Sequence, residues 1–147
     1  MDAALRKTIE DILARTNDMS IATVRPDGWP QTTTVSYVSD GLTIYFVTGE
    51  HAQKARNIAI NNKVSATIDR PYKNWNSILS LSLGGVATAV TDKKEITHVE
   101  KLMTEKFPQA ADIEMPDEAP AVFKITPKVI SVLDYSKGFG HTDMVTL

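Results

Sequence analysis

The chain has 147 residues, no cysteine and a formal net charge of −2, with 42% apolar and 23% charged residues. That size and balance describe about one globular domain, able to hold a core without disulfides or metal, and argue against disorder. The missing cysteine removes disulfide scaffolds, thiolate zinc sites, iron–sulfur clusters and a cysteine nucleophile.

Residues 3–16 read as a helix, with Leu5, Ile9, Ile12 and Leu13 on one face and Asp2 placed to cap the start. Ser20–Val24 is a short strand. Arg25-Pro26-Asp27-Gly28-Trp29-Pro30 then carries turn chemistry, because Pro26 presets φ and Gly28 accepts a positive φ. A strand over Gln31–Val38, a second turn at Ser39-Asp40-Gly41 and a strand over 42–48 follow, so these three strands are expected to form an antiparallel meander. Residues 51–62 change to helical period, with Ala55, Ile58 and Ala59 as the apolar side. Residues 64–68 return to β. Residues 77–83 alternate leucine and serine, and Gly84-Gly85 marks a bulge or bend before the strand continues through 86–90.

Asp92 and Glu95 have capping-box spacing ahead of a helix to about Phe107, whose stripe is Ile96, Val99, Leu102, Met103 and Phe107. Residues 108–120 form a proline-rich acidic loop. Residues 121–125 make a strand that Pro127 interrupts and 129–135 resume, and the tail is Ser136–Leu147. Strands dominate and come in hairpins, with no regular βαβ unit, which points to a closed or partly open antiparallel barrel in one domain, residues 1–147.

No stretch approaches the ~20 apolar residues of a bilayer span, and the N-terminus mixes acids with bases, unlike a signal peptide. A cytoplasmic protein is expected. Neither half is basic enough to attract a polyanion, which disfavours nucleic acid. No nucleotide-binding glycine loop, zinc-helix motif or nucleophile elbow is present. His51, His98 and His141 are scattered with no carboxylate at ligand spacing, so no metal site is expected, and His98 reads as solvated.

The informative segment is Val47–Asn57. Thr48 closes a strand, Gly49 permits a sharp exit, and Lys54 and Arg56 fall in the early turns of a helix. A helix start offers unpaired N–H groups and about half a positive charge, so a lysine and a threonine there suit a phosphate monoester. A capped helix with solvated bases explains the same residues. The hydroxyl-rich strand Gln31, Thr32, Thr33, Thr34 and Ser36 is either an exposed edge or a row of donors for a polar ligand. Ser80 and Ser82 face a subunit interface or a flat ligand.

Taken in order, the PDG turn with proline two residues on, the strand ending Val47-Thr48, the lysine six residues later, Leu81–Val90 with its glycines, and Val129–His141 resemble the pyridoxamine 5'-phosphate oxidase-like, FMN-binding split-barrel family over nearly the whole chain. The resemblance implies a six-stranded antiparallel Greek-key split barrel, a homodimer with FMN at its interface, and an oxidoreductase acting on a small molecule. It points to Thr32, Thr33, Val47, Thr48, Gln53, Lys54 and Ser80 as the cofactor-binding set, with Lys54 on the phosphate and Val47 and Thr48 along the flavin and ribityl chain.

Ala52-Gln53-Lys54 stands where the family's oxidases carry Ser-Arg-Lys, and Thr33 stands where they place a strand arginine. At ~1.5–3 kcal/mol per charged hydrogen bond this weakens FMN by orders of magnitude unless Arg25, His51 or Arg56 substitutes. The vitamin B6 pocket is not recognisable, so vitamin B6 oxidation is not assigned. Tyr135, Lys137 and His141 are candidates to reach a partner subunit's site, or belong to a flexible tail. Alternatives are a deazaflavin or haem user, with His51 or His141 as the haem ligand, and a non-catalytic binding module.

Overall fold

A computed structural model describes all 147 residues. Three helices, α1 (Ala3–Arg15), α2 (Gln53–Ile60) and α3 (Lys93–Lys106), accompany eight strands. The strands are β1 (Asp18–Val24), β2 (Pro30–Ser36), β3 (Val38–Asp40), β4 (Thr43–Gly49), β5 (Lys63–Asp69), β6 (Leu79–Ala89), β7 (Pro120–Asp134) and β8 (Thr142–Thr146). Asp2 caps α1 by accepting from the Leu5 N–H at 2.7 Å, and Asp92 caps α3 from Glu95. The first hairpin turns as its chemistry requires. Gly28 N donates to Arg25 O, Gly28 has φ +88°, and Arg25 N closes on Trp29 O.

All strands join one antiparallel sheet in the order β2-β1-β5-β6-β7-β4-β3, with β8 added on β7. The meander expected of β1 to β4 keeps its two pairings but not its continuous middle strand. β1 pairs β2 and β3 pairs β4, but the two hairpins lie at opposite ends of the order, with β1 turning to β5 and β4 to β7. The expected strand Gln31–Val38 breaks at Tyr37, a fully buried corner whose hydroxyl donates to Leu13 O at 2.8 Å. One residue therefore joins the first and last strands of the order, which curls the sheet into a split barrel. Counting β2 and β3 as one cornered ribbon leaves the six barrel strands plus β8.

β6 and β7 are long because both halves of the barrel use them. Their outer portions carry β5, β1, β2 and β8 on one side and β4 and β3 on the other. The lobes meet at a bulge, where Gly84 pairs Val129 and Gly85 pairs Pro127, leaving Lys128 extra. Pro127 thus kinks one continuous strand rather than separating two. It has no N–H to give a ladder, and the bulge removes the need for one.

The main core gathers Ile9, Ile12 and Leu13 of α1 with Ile21, Ile44, Phe46, Ile68, Leu81, Ile125 and Ile130 from the strands. Phe46 stacks on Phe123 with centroids 5.4 Å apart. Each such side chain contributes roughly 1.5–3 kcal/mol on burial. Val38, Tyr45, Val90, Val99 and Phe107 form a second cluster under α3. The tail is not loose. β8 pairs β7 along its length and buries Val145.

Candidate functional site

β4 delivers Thr48 and Gly49 to a short turn, and α2 begins at Gln53. Unlike α1 and α3, α2 has no side-chain cap. The N–H groups of Gln53, Lys54 and Ala55 meet no carbonyl or side-chain acceptor. Lys54 is half-buried and pairs with no carboxylate or carbonyl. One carboxylate of the chain already lies beside this turn. Glu118 of the acidic loop accepts from the His51 N–H at 2.6 Å, and a side chain on Gly49 would collide with that carboxylate.

α2 is fixed to the first hairpin by polar bonds as well as by Ala55 and Ile58. Asn57 is fully buried, donates to Thr23 Oγ1 at 3.0 Å and Gln31 Oε1 at 3.3 Å, and accepts from Gln53 Nε2 at 2.8 Å. Arg56 donates to Gln53 Oε1 at 2.9 Å. The side-chain amide of Gln53 is therefore used within the protein, and its main-chain N–H is the group left open. Sequence reasoning missed Asn57 and placed Ala59 on the apolar side instead, where the fold leaves Ala59 exposed.

The sequence-predicted residues fall in three places. Thr48, Gln53 and Lys54 lie at the β4–α2 connection, and Thr33 stands on β2. Thr33 is half-buried and shares its strand face with Gln31, which holds Asn57. Thr48 leads into α2. Thr32 and Val47 are exposed on the faces opposite Thr33 and Thr48, because successive strand side chains alternate. Ser80 lies on β6, opposite Asp69 and Leu133. Within one chain Ser80 is not brought to Lys54.

The bases considered as replacements are mostly engaged. Arg25 pairs with Asp27 at 3.2 Å inside its own turn, and His51 pairs with Glu50 at 3.3 Å. In the tail, Lys137 and His141 both bond Asp143 at 3.1 Å. These bonds hold the Asp143 carboxyl below the usual range, Lys137 first and His141 second, and raise the Lys137 ammonium. Tyr135 and Trp75 flank the exposed Phe139, at centroid distances of 5.3 and 5.9 Å.

Polar groups under α3 serve packing. Glu95 accepts from Tyr45 at 2.9 Å and pairs with Lys124 at 3.0 Å, which keeps its carboxyl low, while burial pushes the Tyr45 hydroxyl up to about 12. His98, expected to be solvated, bonds Asp40 at 2.8 Å. No cluster of three or more histidines and carboxylates is spaced to hold a metal.

Two shallow hollows, of about 280 and 300 Å³, lie between β1 and β5 and between α3 and β3, and neither is lined by any of the seven predicted residues. Both are at or below the low end for ligand pockets. The outer face of the larger lobe is a register row of small hydroxyl residues, Thr34, Ser20, Thr67, Ser82 and Ser131.

No curated protein matches the chain in sequence. Among solved structures, a haem-binding protein from Mycobacterium smegmatis is similar with a TM-score of 0.82 at 20% identity, covering 99% of this chain and 59% of that one, so this chain spans little more than half of that relative. HutZ, the haem storage protein from Vibrio cholerae, has a TM-score of 0.68 at 21% identity over 82% of this chain and 88% of its own. An F420 reductase has a TM-score of 0.63 at 23% identity over 83% and 94%. At these identities the likeness is one of fold. The family model described as pyridoxamine 5'-phosphate oxidase matches residues 5–134, every strand but the last. The chain belongs to the pyridoxamine 5'-phosphate oxidase family.

Proposed function

We propose that the protein is a cytoplasmic, homodimeric FMN-binding flavoprotein, and an oxidoreductase acting on a small molecule. The observation that carries this reading is the half-buried, unpaired Lys54 in the uncapped first turn of α2, within a chain of this family. The residues fit a phosphate monoester. Open N–H groups of Gln53, Lys54 and Ala55 offer directed donors, Lys54 offers the charge, and Thr33 and Thr48 offer hydroxyls. Glu118 and the missing arginines weaken the site without removing it.

The flavin, when bound, supplies hydride and electron chemistry, and the protein supplies position and electrostatics. Lys54 and the α2 N–H groups anchor the phosphate. Val47 offers an exposed apolar surface for the ring, and Thr48 a hydroxyl for the ribityl chain. Thr32 and Ser80 lie on the outer face, where a second copy would bring further groups. The two hollows between β1 and β5 and between α3 and β3 are too small and shallow to bury a flavin, which favours a site shared between two copies. The hydroxyl face with its small side chains suits such close approach. Tyr135, Lys137 and His141 sit beyond this face on the tail and are the candidates for contact with the partner's ligand.

A haem reading has its own support, since two solved relatives are described as haem-binding or haem storage proteins. It would use half-buried His141, two residues on from the exposed Phe139 that packs against Trp75, or His51. The visible spectrum of purified protein, before and after adding FMN or hemin and removing the excess, separates the two. Structured flavin bands support the flavoprotein. A Soret band that His141→Ala or His51→Ala abolishes replaces it with haem. Turnover with a reduced nicotinamide and an electron acceptor separates an enzyme from a flavin-sequestering module, and a colourless protein that retains neither ligand overturns both readings.

A further inference from the structure

Asn57 lies on an eight-residue helix and has no exposed surface, a place where an apolar side chain would pack without needing partners. An amide buried there must have its polar groups met, and here they are met in a chain that runs in one direction. From the first hairpin it passes from Thr23 and Gln31 to Asn57, then to Gln53, then to Arg56. Fully satisfied buried networks fix geometry more sharply than apolar contacts, which tolerate sliding. Besides this network, α2 has no side-chain cap and two buried apolar anchors, Ala55 and Ile58, to set its rotation.

We propose that Asn57 is the positioning residue of the phosphate site, locking the first turn of α2, with Gln53 and Lys54, against the β1–β2 hairpin that carries Thr33. The inference rests on the flavin-phosphate reading above. Asn57 itself touches no ligand. It fixes where the open N–H groups and the Lys54 ammonium stand relative to the hairpin at Thr23 and Gln31. Gln53 transmits that placement, and Arg56, held on the far side of Gln53, keeps its guanidinium at the same turn.

The test measures FMN and riboflavin dissociation constants by flavin fluorescence, in the full chain and in Asn57→Ala and Gln31→Met. The ratio of the two constants isolates the phosphate, and a merely structural defect weakens both flavins alike. Asn57→Ala is expected to cut the preference for FMN about tenfold, and Gln31→Met a few-fold, with riboflavin held within about twofold. In a Lys54→Ala background Asn57→Ala is expected to cost less of the FMN preference than in the wild type, since the two share the Lys54 contact while the α2 N–H groups remain. A wild-type chain that prefers FMN, with both variants keeping that preference, overturns the positioning role and leaves the flavin reading standing. A wild-type chain that binds FMN no better than riboflavin overturns the flavin-phosphate reading, and this inference with it. Should Asn57→Ala not fold, Gln31→Met at its half-buried position decides the matter.

Discussion

Lys54 and Lys106 show two fates for a lysine in one small protein. Lys54 keeps its ammonium free beside open N–H groups. If it pairs with phosphate, Lys54→Ala weakens FMN by about 1.5–3 kcal/mol and leaves riboflavin unchanged, and equal losses for the two remove it from that role. Lys106 is spent on structure. Its ammonium donates to Thr16 O at 2.7 Å, Tyr37 O at 3.1 Å and Leu13 O at 3.4 Å, and lies 4.0 Å from the Tyr37 ring centre. Burial pushes it down to about 8 from 10.5, against the pull of Asp18. The folded chain therefore releases this proton near pH 8, while the unfolded chain holds it to about pH 10.5. Unfolding takes up a proton in that window, so stability rises as pH climbs from 8 towards 9.5. Urea melts across that range should show the rise in the wild type and lose it in Lys106→Met. The lysines were legible as charges, but their partners come from segments about 70 to 90 residues away along the chain.

At the scale of elements, local chemistry was read well and pairing was not. The Arg25–Trp29 turn, both aspartate caps and the three helices follow from residues within a few positions of each other. Both pairings of the expected meander form, but its middle strand breaks at Tyr37, so β1 and β4 each take a further partner far along the chain and end on opposite sides of the sheet order. The bulge at Gly84-Gly85 was signalled by its glycines, while Pro127 misled because its missing N–H sits opposite that bulge. The two glycines are not equivalent. A Cβ on Gly85 would meet Thr126 O at 2.7 Å and Pro127 Cα at 3.1 Å, whereas one on Gly84 meets Val129 Cγ1 at an ordinary 3.4 Å. Gly85→Ala should therefore cost about 1–3 kcal/mol in a denaturant melt, because backbone must move, while Gly84→Ala stays near wild type. Equal effects would remove the close approach as the reason for glycine at 85.

For the whole molecule, the single chain leaves its candidate groups divided. Thr48, Gln53 and Lys54 lie at the start of α2 and Thr33 stands on the β2 strand tied to α2 through Gln31, while Ser80 and the hydroxyl row lie on the outer face of the sheet. A second copy on that face would supply what one chain lacks. Sedimentation equilibrium should give twice the chain mass of 16.2 kDa, and Ser82→Arg, placing a long charge in the row, should shift it towards monomer. A monomer at all concentrations, still binding FMN, would confine the site to one chain.

The sequence by itself determined the class of the molecule. Its β-rich hairpins, its helix caps, its glycine and proline punctuation and the ordered run from Arg25 to Val90 carry the split barrel and the family. These signals act over a few residues or recur at a fixed period, so they survive without knowing what lies next to what. The tertiary structure alone decided the strand order, the corner at Tyr37, the strand made of the tail, and the burial of Asn57. Each of those depends on contacts between residues far apart along the chain. An asparagine on a helix is exposed by default, and only the hairpin folded against α2 turns it into the centre of a network.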